Sequence, residues 1–155
     1  MPERTKNQVA AEAWGSLLRA HARLVPAMDA DLKRAAGLQL AWYDILLELY
    51  YADGQALTMT DLAERVVLSR TRVSRVVDEM VQSGLVERVQ HPDDKRSALA
   101  SLTEQGRRRF RAAAPTYLAS IDRYVADPLS KAELETLRAL LTRLTEAPTS
   151  RSIPR

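Results

Sequence analysis

The chain contains no cysteine and only two histidines among its 155 residues. Disulfides and thiol switches are thereby excluded. A zinc site would have to rely mainly on carboxylates, because the imidazole and thiolate donors zinc prefers are nearly missing. Neither a metal nor a cofactor is expected. No apolar run approaches the roughly 18 residues that mark a membrane span. Met1 to Asn7 is short and polar with no apolar core behind it, so it does not read as a signal peptide, and a cytoplasmic protein with no membrane partner is expected. Nucleophile-elbow, zinc-protease, phosphate-loop and dinucleotide-binding motifs are all missing, which argues against an enzyme. Glycine is scarce, at five residues, and the net charge is only +3. A general nucleic-acid coat is therefore not implied; any useful positive charge must be local.

What is present is helix-forming: 46% of the residues are apolar, and Ala, Leu and Arg abound, which predicts a mainly α chain of one domain. The stretch from Thr58 to Gly84 carries the most information. Thr58 and Asp61 have the spacing of a helix-capping pair, with Leu62, Val66 and Val67 as a buried stripe behind them. Ser69 is placed to cap a second helix. In that helix Val73, Val76, Val77 and Met80 recur at i, i+3, i+4 and i+7 and send one face to the core. Thr71 and Arg75 then point directly away, Arg72 and Ser74 flank that outward side, and Arg70 lies at its border. A helix of this kind fits the DNA major groove and reads base edges with its first turns. A solvated basic face on an ordinary helix is the plain alternative.

Gly84 suits a helix C-terminus, and Leu85 to Val89 and Ser97 to Leu102 are β-compatible runs separated by the turn chemistry of His91-Pro92-Asp93-Asp94. A β-hairpin wing follows, tipped by Lys95 and Arg96. A guanidinium on a narrow projection suits the electronegative minor groove. Asp94 either pins Arg96 by a charge-assisted pair or serves the turn alone.

Around this unit, at residues 40–102, lie longer helices. Residues 8–38 carry Trp14, Leu17, Leu18, His21, Leu24, Val25, Met28 and Leu32 on one stripe, with Pro26 expected to kink or locally break the helix. Leu40 to Tyr51 is apolar on most sides and should be buried. Residues 103–146 hold a helix carrying Phe110, Ala113, Tyr117 and Leu118, interrupted by Pro115. Asp127-Pro128 breaks it, and a last helix is boxed by Ser130 and Glu133. Arg107, Arg108, Arg109 and Arg111 read as a solvated face, with phosphate contacts the alternative. Residues 147–155 read as a disordered tail. Apolar helices at both ends predict a twofold homodimer, against the alternative of a bundle within one chain.

The run L-S-R-T-R-V-S-R-V-V-D-E-M, with S-G-L-V-E-R, the wing P-D-D-K-R-S and the closing L-T-E-Q-G, resembles the MarR family of bacterial transcription regulators. The similarity extends more weakly over Ala10 to Glu146. The resemblance implies a winged helix-turn-helix flanked by dimerisation helices. Ser69, Arg70, Thr71, Arg72, Ser74 and Arg75 would enter the major groove of double-stranded DNA, Arg96 would enter the minor groove with Lys95 beside it, and Asp94 would support the wing. It also implies a homodimer on an inverted-repeat operator, most simply a repressor, released by a small aromatic or phenolic effector. His21, Trp42 and Tyr43 are the candidates for that effector's cleft, against a plain packing role. One departure is visible: the family wing often opens with an acid where this chain has His91. Two rival functions remain at this level, a winged-helix module that docks an acidic protein and a ligand-binding protein without specific DNA binding.

Overall fold

Thr5 opens the first helix, its hydroxyl accepting from the Gln8 amide while the Gln8 side chain returns to the Thr5 amide. This capping box satisfies two otherwise orphaned donors. In the computed structural model, which describes residues 4–66, 68–92 and 97–146, helix α1 runs from Lys6 to Ala36 and ends at Gly37. It starts two residues before the sequence pattern suggested. It also passes through Pro26 without a break, contrary to expectation. Pro26 and Ala22, whose carbonyl loses its partner, are both exposed, so water can take that hydrogen bond. Pro115 is likewise exposed within an unbroken helix.

Helix α2 spans Leu40–Tyr51, as its composition predicts, and buries Tyr43, Ile45, Leu46 and Leu49. A 3-10 turn at Asp53–Gln55 leads into strand β1, Ala56–Thr58. Helix α3, Met59–Arg65, is capped by Thr58, whose hydroxyl accepts from the Asp61 amide at 3.0 Å. Helix α4, Arg70–Gln82, follows, then strands β2, Val86–Gln90, and β3, Ala98–Leu102. The sheet order is β1-β3-β2, both pairings antiparallel. Strand β1 has no counterpart in the sequence pattern. Only Leu57 of its three residues is buried, and its pairing partner lies some forty residues away. Strand β2 also starts one residue late, because Leu85 finishes the preceding turn. Val67, the wing tip at 93–96 and the expected tail at 147–155 lie outside the described residues.

The chain divides into two compact units, Met1–Leu118 and Ala119–Arg155. In the first, Leu32, Ile45, Leu46, Leu49, Leu62, Val73, Val77 and Met80 form a fully buried core to which Leu102 and Phe110 are added. Helix α5, Glu104–Ile121, begins beside it. In the second, a π-turn at Asp122–Ala126 precedes α6, Lys131–Glu146, which opens on the Ser130–Glu133 capping box.

The turn from α4 into the wing is closely determined. Gly84 adopts φ 71°, and the Gly84 and Leu85 amides donate to the Val81 and Met80 carbonyls at 3.0 Å each, the two bonds of a Schellman motif. The Thr103 hydroxyl lies 2.7 Å and 3.0 Å from the Gly84 and Leu85 carbonyl oxygens and accepts from the Gly106 amide at 2.9 Å. A Cβ on Gly106 would fall 2.0 Å from the Leu85 carbonyl oxygen. That neighbour is backbone and cannot swing aside. Gly106→Ala is therefore expected to lose about 3 kcal/mol or more of stability, measured as a fall in the urea midpoint with the slope unchanged; a neutral substitution would contradict this close packing.

Candidate nucleic-acid interface

The rotation of α4 is set by Val73, Val76, Val77 and Met80, all buried. Ser69 fixes where the helix begins, its hydroxyl accepting from the Arg72 amide at 3.3 Å. The consequence is an exposed face made of Ser69, Arg70, Thr71, Arg72, Ser74 and Arg75. The structure thus brings together every residue assigned to this helix from sequence. Arg70 and Arg75 each reach only 4.0 Å from an acid, Glu64 and Glu79, with all four side chains exposed. Pairs this loose and wet contribute little and leave the guanidinium groups available. The first acid on the helix, Asp78, is engaged by Arg88 of β2 at 2.7 Å. That contact neutralises the charge that would otherwise offset the arginine face, and nothing in the local sequence signals it except the outward alternation of a short strand.

The hairpin zips up to a His91 amide donating to the Ser97 carbonyl at 3.1 Å. Asp94, Lys95 and Arg96 lie outside the described residues. Of the arginines at the start of α5, Arg108, Arg109 and Arg111 are exposed, as a solvated face requires, and Arg107 is half-buried. Arg107 binds the Gln55 side-chain oxygen and Glu104, Arg109 donates to the Gly37 carbonyl at 3.1 Å, and Arg111 donates to the Tyr50 hydroxyl at 3.2 Å with its guanidinium over the ring. Three of the four pin α5 to distant parts of the first unit. Arg108 remains exposed, 3.8 Å from Glu104.

Beneath the arginine face lies a cleft of about 660 Å³ between α1, α2 and the α3–α4 turn. His21 lines it; Trp42 and Tyr43 are not among its lining residues. Tyr43 is buried, with ring centroids 5.3 Å from Phe110 and 4.4 Å from Tyr117, and burial pushes its hydroxyl up to about 12. The indole N–H of Trp42 is buried without a hydrogen-bond partner among the described residues. The cleft's polar lining comes instead from residues that sequence pattern did not single out. Asp29 is bonded by Lys33 at 2.6 Å and by the Leu40 amide at 2.9 Å. Burial opposes its ionisation, but those two partners outweigh burial and hold its pKa below the ordinary value. Asp44 has no hydrogen-bond or ion-pair partner among the described residues. Burial, aided by Glu48, raises it from 3.8 to about 6. The available signal was a pair of acids four residues apart on the most apolar helix. Leu68 and Arg72 complete the wall on the α4 side.

Among the described residues, no helix is long and apolar enough to cross a membrane, and no group of three potential ligands is placed to hold a metal ion. The family model for the MarR family matches residues 36–97. The chain is similar to AbsC, a MarR family transcriptional regulator from Streptomyces coelicolor, with 30% identity, TM-score 0.82, and 94% of this chain and 97% of that one covered. It is also similar to Sco3205, a MarR family regulator of the same organism solved in complex with DNA, with 28% identity, TM-score 0.85, and 99% and 97% covered. A third similar structure is CouR from Rhodococcus jostii bound to p-coumaroyl-CoA, with 25% identity, TM-score 0.72, and 87% and 92% covered.

Because the folded pKa of Asp44 exceeds its ordinary value, the folded chain holds more protons than the unfolded one between pH 3.8 and about 6. Stability from this group therefore falls as pH rises through that window. Asp44→Asn is expected to remove the slope and to raise stability at pH 7 by on the order of 1–2 kcal/mol, discounted for partial exposure. Urea midpoints followed from pH 4 to pH 7 check this, and an unchanged slope would contradict the assignment.

Proposed function

The chain belongs to the MarR family of winged helix-turn-helix, DNA-binding transcriptional regulators, which are not enzymes, and we propose that it acts as a homodimeric repressor of a palindromic operator. The observation that carries this reading is the exposed arginine face at the N-terminus of α4, held in a single rotation by four buried side chains. Arg70, Arg72 and Arg75 divide between phosphates and base edges, the phosphates also favoured by the free amides of the helix end. The wing, with Lys95 and Arg96 at its tip and Asp94 in support, follows into the adjacent minor groove. Similarity to Sco3205, solved in complex with DNA, supports DNA as the ligand.

The dimer reading rests on apolar side chains that each unit leaves exposed. In the first these include Trp14, Leu17 and Leu18, and in the second Leu137, Leu140 and Leu144. Contiguous apolar surface of this kind marks an interaction site, and a second copy is the occupant that gives two readers on one DNA face. The cleft beneath α4 is the site for a small effector. Its wall includes Leu68 and Arg72, so an occupant acts directly on the reading helix. CouR, solved with p-coumaroyl-CoA, supports small-molecule binding by a relative.

Selection from random duplex DNA at about 0.15 M salt is expected to enrich an inverted repeat with half-site centres about 10 bp apart. Arg75→Ala should then weaken the preferred site by about 1–3 kcal/mol; unchanged affinity on every sequence would remove α4 from the groove. Leu17→Glu combined with Leu140→Glu, both at exposed positions, should convert a dimer to a folded monomer in light scattering. A wild-type monomer would refute the dimer.

A further inference from the structure

Charge in the cleft is sorted by depth. Its three acids, Asp29, Asp44 and Glu48, are all half-buried, whereas Lys33, Arg65 and Arg72 are all exposed. The two ion pairs across this gradient show the same order, with Lys33 53% exposed against 29% for Asp29, and Arg65 50% against 32% for Glu48. The basic groups therefore form a wet rim, and the inner wall is acidic. Around the acids the wall is apolar, built from Met28, Leu40, Leu47, Val66 and Leu68 with the Tyr117 ring.

The acids are not equally engaged. Asp29 has both a lysine and a backbone amide. Glu48 has Arg65, at a loose 4.0 Å. Asp44 has neither an ion pair nor a hydrogen bond among the described residues, and its charge reaches the Tyr117 hydroxyl. A carboxylate left in this state beside a cavity lacks the partner that a half-buried charge requires. Arg72 and His21 are the competing anchors, for an anion, but both are exposed, and exposed charges are screened far more than half-buried ones.

Taking the effector cleft proposed above as the site, we propose that its occupant is an organic cation with an apolar or aromatic body, an amine or amidine whose charged head pairs with Asp44 while its body packs on the apolar wall. Glu48 adds a second negative charge one helical turn away, and Tyr117 lines the same cleft. Such an effector departs in charge from the aromatic or phenolic anion that the family resemblance implies.

The test uses probes of one shape and different charge: benzamidinium, neutral benzamide and benzoate, titrated calorimetrically into the full chain at pH 7.5, where Asp44 is ionised. Benzamidinium is expected to bind about tenfold or more tighter than benzoate, with benzamide between them, and Asp44→Asn to abolish that preference. Asp44→Asn keeps the shape of the side chain, and Glu48→Gln, expected to weaken benzamidinium less, provides a second variant. If benzoate binds tighter, or Asp44→Asn leaves benzamidinium unaffected, the cationic assignment is overturned while an effector cleft still stands. If none of the three binds and none alters DNA retention, the cleft reading falls and the cationic assignment with it.

Discussion

Much of the first unit depends on one place where there is no room for a side chain. The end of α4, the start of β2 and the first turn of α5 converge where Gly106 meets the Leu85 carbonyl, with the Thr103 hydroxyl bridging between them. The individual hydrogen bonds are worth only about 1 kcal/mol each. Their effect is geometric: they tie the tail of α4 to the root of the wing, so the angle between them cannot drift independently. Arg107, Arg109 and Arg111 extend the clamp to Gln55, Gly37 and Tyr50. Helix α5 thus acts as a splint along the DNA-reading unit.

The parts of this architecture that were legible in the sequence are those with local causes. Caps depend on three-residue spacings, so Thr58–Asp61, Ser69 and Ser130–Glu133 were readable, as was the buried face of α4. The closing L-T-E-Q-G run was recognisable as a pattern, yet its physical reason, a glycine against a carbonyl twenty-one residues earlier, is visible only in three dimensions. Strand β1 is too short for a period to register. The α5 arginines read as a charged surface, and Arg108, Arg109 and Arg111 are exposed; the acceptors that Arg107, Arg109 and Arg111 find, an amide, a carbonyl and a tyrosine hydroxyl, are remote in sequence and gave no signal. The effector candidates show the same limit. His21 lies in the cleft, whereas Tyr43 belongs to the aromatic core and Asp44, its neighbour, lines the cleft wall. One residue of helical rotation separates packing from exposure to a ligand.

The cleft and the proposed DNA face are two sides of one short segment. Leu68 and Arg72 line the cavity, and Ser69, Arg70, Thr71, Ser74 and Arg75 are exposed. Coupling between the two ligands then needs no relay through the body of the protein. It is also reciprocal: whatever factor an occupant imposes on DNA affinity, DNA imposes on the occupant.

That shared segment constrains how such a regulator can change over generations. Arg72 stands both on the proposed reading face and in the cavity wall, so on the proposed function a mutation there that changes the preferred operator also changes the effector site. On that reading, operator choice and signal choice are coupled through one residue. A reading helix grafted from a relative would bring part of that relative's chemical sense with it.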